Sequence, residues 1–198
     1  MIVDVEKDPR HAGQVLRYHT WPVHRQQSVG EHSWQIARIM VTIWPECPRM
    51  LLLHAVTHDV GEMAGDVPYP FKKNSPELKF WMAQAEGKVH ESMTARWRLP
   101  PAPEMPEMYH RFFKMCEYIE MWEFGLQELN MGNLYGKIVA TRMQLAASTL
   151  IGHMPEEIQA SARAYCDVRR DQESEFEHAA VMDPAEESAV MQEREERA

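Results

Sequence analysis

Apolar residues recur every three or four positions along most of this chain, and no stretch shows credible alternation in twos, so the pattern predicts helices nearly throughout. Val29, His32, Ile36, Ile39 or Met40, and Ile43 form one stripe of a helix running from Ser28 to about Trp44. Ser28 followed by Glu31 reads as a capping box, in which each side chain satisfies a free N–H of the first turn. Pro45 and Pro48 delimit a turn, and a second helix is predicted from Arg49 to about Met63. Residues 64–76 hold three prolines and a glycine, Gly65, Pro68, Pro70 and Pro76, which argues for a structured loop. Helix resumes from about Ser75 to Trp97. A proline-rich turn, Leu99 to Pro106, leads into a long helix from about Glu107 to Met131, closed by Gly132-Asn133. Two further helices, roughly 134–151 and 155–180, complete an all-α bundle with no internal repeat.

Composition narrows the class. The chain has 198 residues, 44% of them hydrophobic, which suits one globular domain of about residues 1–170 with a surplus at the end. The surplus, residues 171–198, carries ten acids against Arg194 and Arg197, a net −8 of the −9 overall, and reads as a solvated helix or disordered tail. The body is therefore close to neutral. A surface for nucleic-acid polymers needs a clustered basic field, so such a partner is not expected. No apolar run is long enough to span a membrane, and the charged start is unlike a signal peptide, which predicts a protein of the cytoplasm. Three cysteines without CxxC spacing suggest neither a disulfide framework nor a zinc ribbon.

Three places put metal-ligand side chains on core-facing helical positions: His32, the pair His58-Asp59, and Glu117 on the long helix. Imidazole combined with carboxylate suits Mn²⁺, Fe²⁺, Co²⁺ or Zn²⁺ better than Ca²⁺, with Mg²⁺ as a further candidate. Such an ion lowers the pKa of bound water and polarises a phosphoryl oxygen. Phosphate also needs cations beyond the metal. Lys72 and Lys73 in the proline-rich loop are candidates, and Lys114 shares a helical face with Glu117. Each residue alone has a plainer alternative, a core histidine at His32 or solvated surface lysines.

The order of the motifs adds to this. Glu31-His32-Ser33, Thr57-His58-Asp59-Val60-Gly61-Glu62, Gly65-Asp66-Val67-Pro68 with Lys72, and Lys114-Met115-Cys116-Glu117 together resemble the HD-domain phosphohydrolases. Within them the set is similar to the bacterial 5′-deoxynucleotidase branch and to related phage enzymes that strip triphosphate from dATP. The resemblance implies that His32, His58, Asp59 and Glu117 bind the metal, although Glu117 stands where the family usually has aspartate. It implies that Glu62 orients or deprotonates the attacking water and that Asp66 lies near the sugar and the reacting phosphate. The family's Arg-Trp pair before the first metal histidine falls on Arg17 and Tyr18, with Trp21 close behind, which implies a nucleotide-binding role for these three.

The reading is thus a metal-dependent enzyme cleaving the 5′ phosphoester of a deoxynucleoside monophosphate, acting as a homo-oligomer. Release of triphosphate from a deoxynucleoside triphosphate such as dATP is the alternative reaction. A non-catalytic HD-fold binding module is the alternative of a different class.

Overall fold

In the computed structural model the described residues are 8–64, 74–98 and 104–179. The chain opens with a short helix, α1 (Pro9–Ala12), and a two-residue ladder, β1 (Leu16–Arg17) antiparallel to β2 (Gln27–Ser28). The helices that follow are α2 (Val29–Ile43), α3 (Arg49–Thr57), a 3₁₀ turn (Val60–Ala64), α4 (Pro76–Trp97), α5 (Glu107–Asn130), α6 (Gly136–Ile151) and α7 (Glu156–Ala179). The all-α expectation holds, and the small ladder is an addition to it. Its strands are too short for alternation to register. Among the described residues, no helix is long and apolar enough to cross a membrane.

The predicted stripe of α2 is its buried face: Val29, His32, Ser33, Ile36, Ile39, Met40 and Ile43 point inward. Ile36, Ile39, Met40 and Ile43 meet Leu51 and Ala55 of α3 and Phe112, Phe113, Met115, Cys116 and Ile119 of α5 in one core. Removing a side chain from water in this way stabilises by roughly 1.5–3 kcal/mol for each large residue, so α2 and α5 are held together by their apolar faces. The predicted capping box forms by half. Ser28 Oγ accepts from the Glu31 N–H at 3.1 Å, but the Glu31 carboxylate is taken by Arg25 at 2.5 Å, and a charged partner outcompetes the backbone N–H it was expected to reach.

The second helix ends earlier than its periodicity predicts. α3 stops at Thr57, and the chain tightens through His58 and Asp59 into the 3₁₀ turn. Close approach to α4 explains the change. A Cβ on Gly61 would lie 2.7 Å from Cβ and 2.9 Å from the carbonyl oxygen of Glu86, so only glycine lets the turn lie directly on that helix. Val60 then joins Ala12 and Met93 in a second, smaller core.

At the far end, α5 finishes in a Schellman motif. Gly132 takes φ +86° and donates to the Leu129 carbonyl, while the Asn133 N–H reaches back to the Glu128 carbonyl at 2.9 Å. α5 and α6 then run back to back at glycine contacts: a Cβ on Gly125 would meet the Ala140 nitrogen at 2.6 Å. α7 is fastened by Glu123 of α5, which accepts from Arg38 at 2.7 Å, from Arg169 at 2.6 Å and from the Tyr165 hydroxyl. Burial and the Glu123 charge push the Tyr165 phenol up to about 12, so it remains a donor.

Candidate metal centre

The turn at the end of α3 builds half of the site. His58, at the helix C-cap, places its Nδ1 3.0 Å from the Ala55 carbonyl oxygen. A carbonyl only accepts, so Nδ1 carries the proton and Nε2 faces the other way. There Nε2 lies 3.1 Å from Asp59 Oδ2. The other half comes from the first turn of α2. His32 is fully buried, its Nδ1 is 2.5 Å from Glu120 Oε2 of α5, and its Nε2 lies 3.7 Å from the same Asp59 Oδ2. Both imidazoles thus spend Nδ1 on the protein and turn Nε2 toward one point beside Asp59. His32, His58 and Asp59 offer ligand atoms that all lie within 4.8 Å of one another.

That donor set fits a divalent transition metal. His32 Nε2 is buried without a hydrogen-bond partner, a costly arrangement unless something else satisfies it, and His58 Nε2 has only its 3.1 Å approach to Asp59 Oδ2. Two imidazole nitrogens and a carboxylate oxygen are ligands that Zn²⁺, Mn²⁺, Fe²⁺ and Co²⁺ accept.

The electrostatics agree with this. Burial holds His32 below the ordinary histidine value, helped by the nearby Arg17 charge and against the pull of Glu120, so the ring is neutral and its Nε2 lone pair is available. Burial would lower His58 as well, but its contacts with Asp59 outweigh that and raise it. Burial would raise Asp59, yet the hydrogen bond and charge of His58, with His32 and Arg17 behind them, hold it below the usual carboxylate range. Proton and metal therefore compete for the same edge of His58.

The remaining predicted residues divide into three groups. Glu62 sits in the 3₁₀ turn, its N–H bonded to the Asp59 carbonyl at 3.0 Å, so its backbone is fixed to the metal-side turn. Arg17 on β1 lies 3.7 Å from Glu120 and within electrostatic reach of Asp59 and Glu62. Tyr18 follows with φ 57°, a left-handed conformation unusual for a residue with a side chain, and its ring stacks on Phe124 at 4.4 Å. With Trp21 it lines a crevice against Phe124, Tyr135 and Val139, beginning one turn of α5 beyond Glu120.

Glu117 and Lys114 are drawn to each other at 2.5 Å on one face of α5. Glu117 is close enough to influence His54 and His58, but it is not one of the three groups that converge. Asp66, Lys72 and Lys73 lie outside the described residues.

Two features of the site escape a reading by motif. His54, one turn before His58, packs edge-on against Phe113 at 4.4 Å, and burial with the charges of His58 and Lys114 pushes it down to about 4, so it stays neutral. Glu120 is the larger omission. Its signal in the sequence is an acid three residues after Glu117, between the core residues Ile119 and Trp122, where an unpartnered charge is not tolerated. Burial alone would raise Glu120, but the charge and hydrogen bond of His32, with Arg17 and Gln27, lower it, and it is an anion.

Comparison with known proteins places these residues in a family. Residues 13–128, over half of the chain, match the model of the family described as 5′-deoxynucleotidase YfbR-like. The matched span contains β1, the two histidines, the His58-Asp59 turn and the part of α5 that carries Glu117 and Glu120. A search of curated proteins gives no match. The motif order, the all-helical bundle and the converging imidazoles coincide with that match, and the chain belongs to the YfbR-like 5′-deoxynucleotidase family of HD-domain proteins.

Proposed function

We propose that this HD-domain phosphohydrolase cleaves the 5′ phosphoester of a deoxynucleoside monophosphate, giving the deoxynucleoside and inorganic phosphate. The observation that carries the reading is the convergence of His32 Nε2, His58 Nε2 and Asp59 Oδ2 on one buried point, with both Nδ1 atoms already tied to protein acceptors. A divalent transition ion held by these residues supplies Lewis acidity toward a phosphoryl oxygen and acidifies water. Glu62 takes a proton from the attacking water, whose oxygen forms the new bond to phosphorus. The bond from phosphorus to O5′ breaks, its electron pair stays on O5′, and that oxygen takes up one proton, balancing the one Glu62 took from the water and then gives up, to leave as the nucleoside alcohol. Arg17 offsets negative charge beside Asp59 and Glu62. Tyr18 and Trp21 offer aromatic surface to the base, and Asp66 and Lys72 complete the substrate contacts in this reading.

The pairing of the described cations leans toward the monophosphate over a triphosphate. Near neutral pH a triphosphate brings about four negative charges and a monophosphate about two, so the former needs several uncommitted cations. Among the described residues the candidates are already committed: Arg17 faces Glu120, Arg25 pairs with Glu31, and Lys114 pairs with Glu117. The test is a panel of mono- and triphosphate deoxynucleotides with Mn²⁺, Co²⁺, Zn²⁺ and Mg²⁺, reading phosphate and triphosphate release separately. Phosphate release from monophosphates is expected. Intact triphosphate as the dominant product, with monophosphates untouched, overturns the substrate assignment.

A further inference from the structure

We infer that Glu120 is the positioning residue of the metal centre, holding His32 in the one tautomer and ring orientation that turns a bare Nε2 toward Asp59; this rests on the metal-site reading above. Glu120 is buried, only 2% exposed, and faces His32 through Nδ1, the ring nitrogen opposite the one nearest Asp59. Its Oε2 lies 2.5 Å from His32 Nδ1, and its Oε1 accepts from Gln27 Nε2 at 2.5 Å. Gln27 is itself buried, and its Oε1 is 3.5 Å from Arg17 Nη1, so Arg17, Gln27, Glu120 and His32 form one connected chain of partners. These partners come from β1, β2, α2 and α5. The small ladder between Leu16–Arg17 and Gln27–Ser28 is what brings Arg17 and Gln27 together over Glu120.

The chemistry makes this more than packing. A neutral imidazole has one proton for two nitrogens, and the hydrogen bond made by one nitrogen decides the state of the other. With one oxygen of Glu120 accepting from the Gln27 amide and the other facing Nδ1, the carboxylate acts as an acceptor on both sides, keeps the imidazole proton on Nδ1 and leaves Nε2 as a lone pair. In the opposite tautomer the Nε2 proton would point at Asp59 and occupy the metal's place. Partners that orient a ligating histidine through its second nitrogen typically change metal affinity or activity by 10–100-fold when removed. For His58 the backbone carbonyl of Ala55 has the same duty, and no side-chain substitution can remove it. Glu120 is therefore the place where the orientation of a ligand can be altered without touching a ligand.

The test uses the full chain, stripped of metal by chelator, as wild type and as Glu120→Gln. The amide preserves volume but brings no charge and one acceptor oxygen for two donors. Two readouts are taken: Zn²⁺ affinity by competition with a chromophoric chelator, and the tautomer of His32 by long-range ¹H–¹⁵N correlation in the metal-free protein. Glu120→Gln is expected to weaken Zn²⁺ binding by about 10–100-fold, with His32 no longer confined to the Nδ1–H form and the circular dichroism spectrum unchanged. Zn²⁺ affinity within twofold of wild type, or His32 found as Nε2–H in the wild type, overturns the inference. The wild-type tautomer decides the matter even for a variant that does not fold. Wild-type protein that binds no Zn²⁺ overturns the metal site and the positioning role together, whereas equal binding by both proteins removes only the role of Glu120.

Discussion

His58 and Asp59 are neighbours in sequence, and a regular helix would point their side chains about 100° apart. Ending α3 at Thr57 removes that obstacle, since the tighter turn brings His58 Nε2 to 3.1 Å from Asp59 Oδ2. Asp59→Ala is accordingly expected to abolish bound metal and turnover together, measured by metal analysis and phosphate release on the same preparation. Full turnover from a metal-free Asp59→Ala protein would sink the mechanism. Under the proposed mechanism Glu62 has a different duty and a different signature. Glu62→Gln should retain the metal while kcat falls by roughly 10²-fold, the lower range of general acid–base help. Loss of metal with unchanged turnover per bound ion would instead make Glu62 a ligand.

Two contacts decide how the elements meet. Glu128, near the end of α5, accepts from the backbone N–H groups of His24 and Arg25 at 2.7 and 2.9 Å and from the Asn133 amide at 2.7 Å, anchoring the segment that leads into β2. Burial would raise its pKa, but these donors lower it below the ordinary glutamate value. A depressed folded-state pKa contributes stability that is complete above the unfolded value of about 4.3 and is lost as pH falls through the folded one. Glu128→Gln should therefore cost about 1–3 kcal/mol near neutral pH, because buried donors are left unmatched. In chemical denaturation the gap to wild type should narrow below about pH 4; a gap independent of pH would refute the role of the charge. The second contact is the glycine crossing of α5 and α6. Gly125→Ala gains helix propensity, worth about 1 kcal/mol, but drives a Cβ to 2.6 Å from backbone. Overpacking of this kind costs about 1–3 kcal/mol, so a lower Tm is expected, and a raised Tm would show that α6 can move aside.

Across the whole molecule, the negative charge is concentrated at the C-terminal end while the site gathers Arg17 and the imidazoles. An acidic segment brings nothing attractive to an anionic substrate, so removal of residues 181–198 should leave kcat and KM near those of the full chain. A large rise in KM on truncation would mean the segment helps build the site. The sequence by itself determined the helices and the ligand candidates, because amphipathic periodicity and cap residues are local: the buried face of α2, the ends of α4 and α5 and the placement of His32 on the core stripe were all legible. Tertiary structure alone decided which of the candidates converge. Contact with α4 at Gly61 shortened α3, a two-residue ladder set Arg17 and Gln27 beside Glu120, and pairing with Lys114 engaged Glu117. Glu120 was hidden for the same reason. The meaning of a buried acid lies in partners 88 and 93 residues away, and no local pattern records a hydrogen bond across that distance.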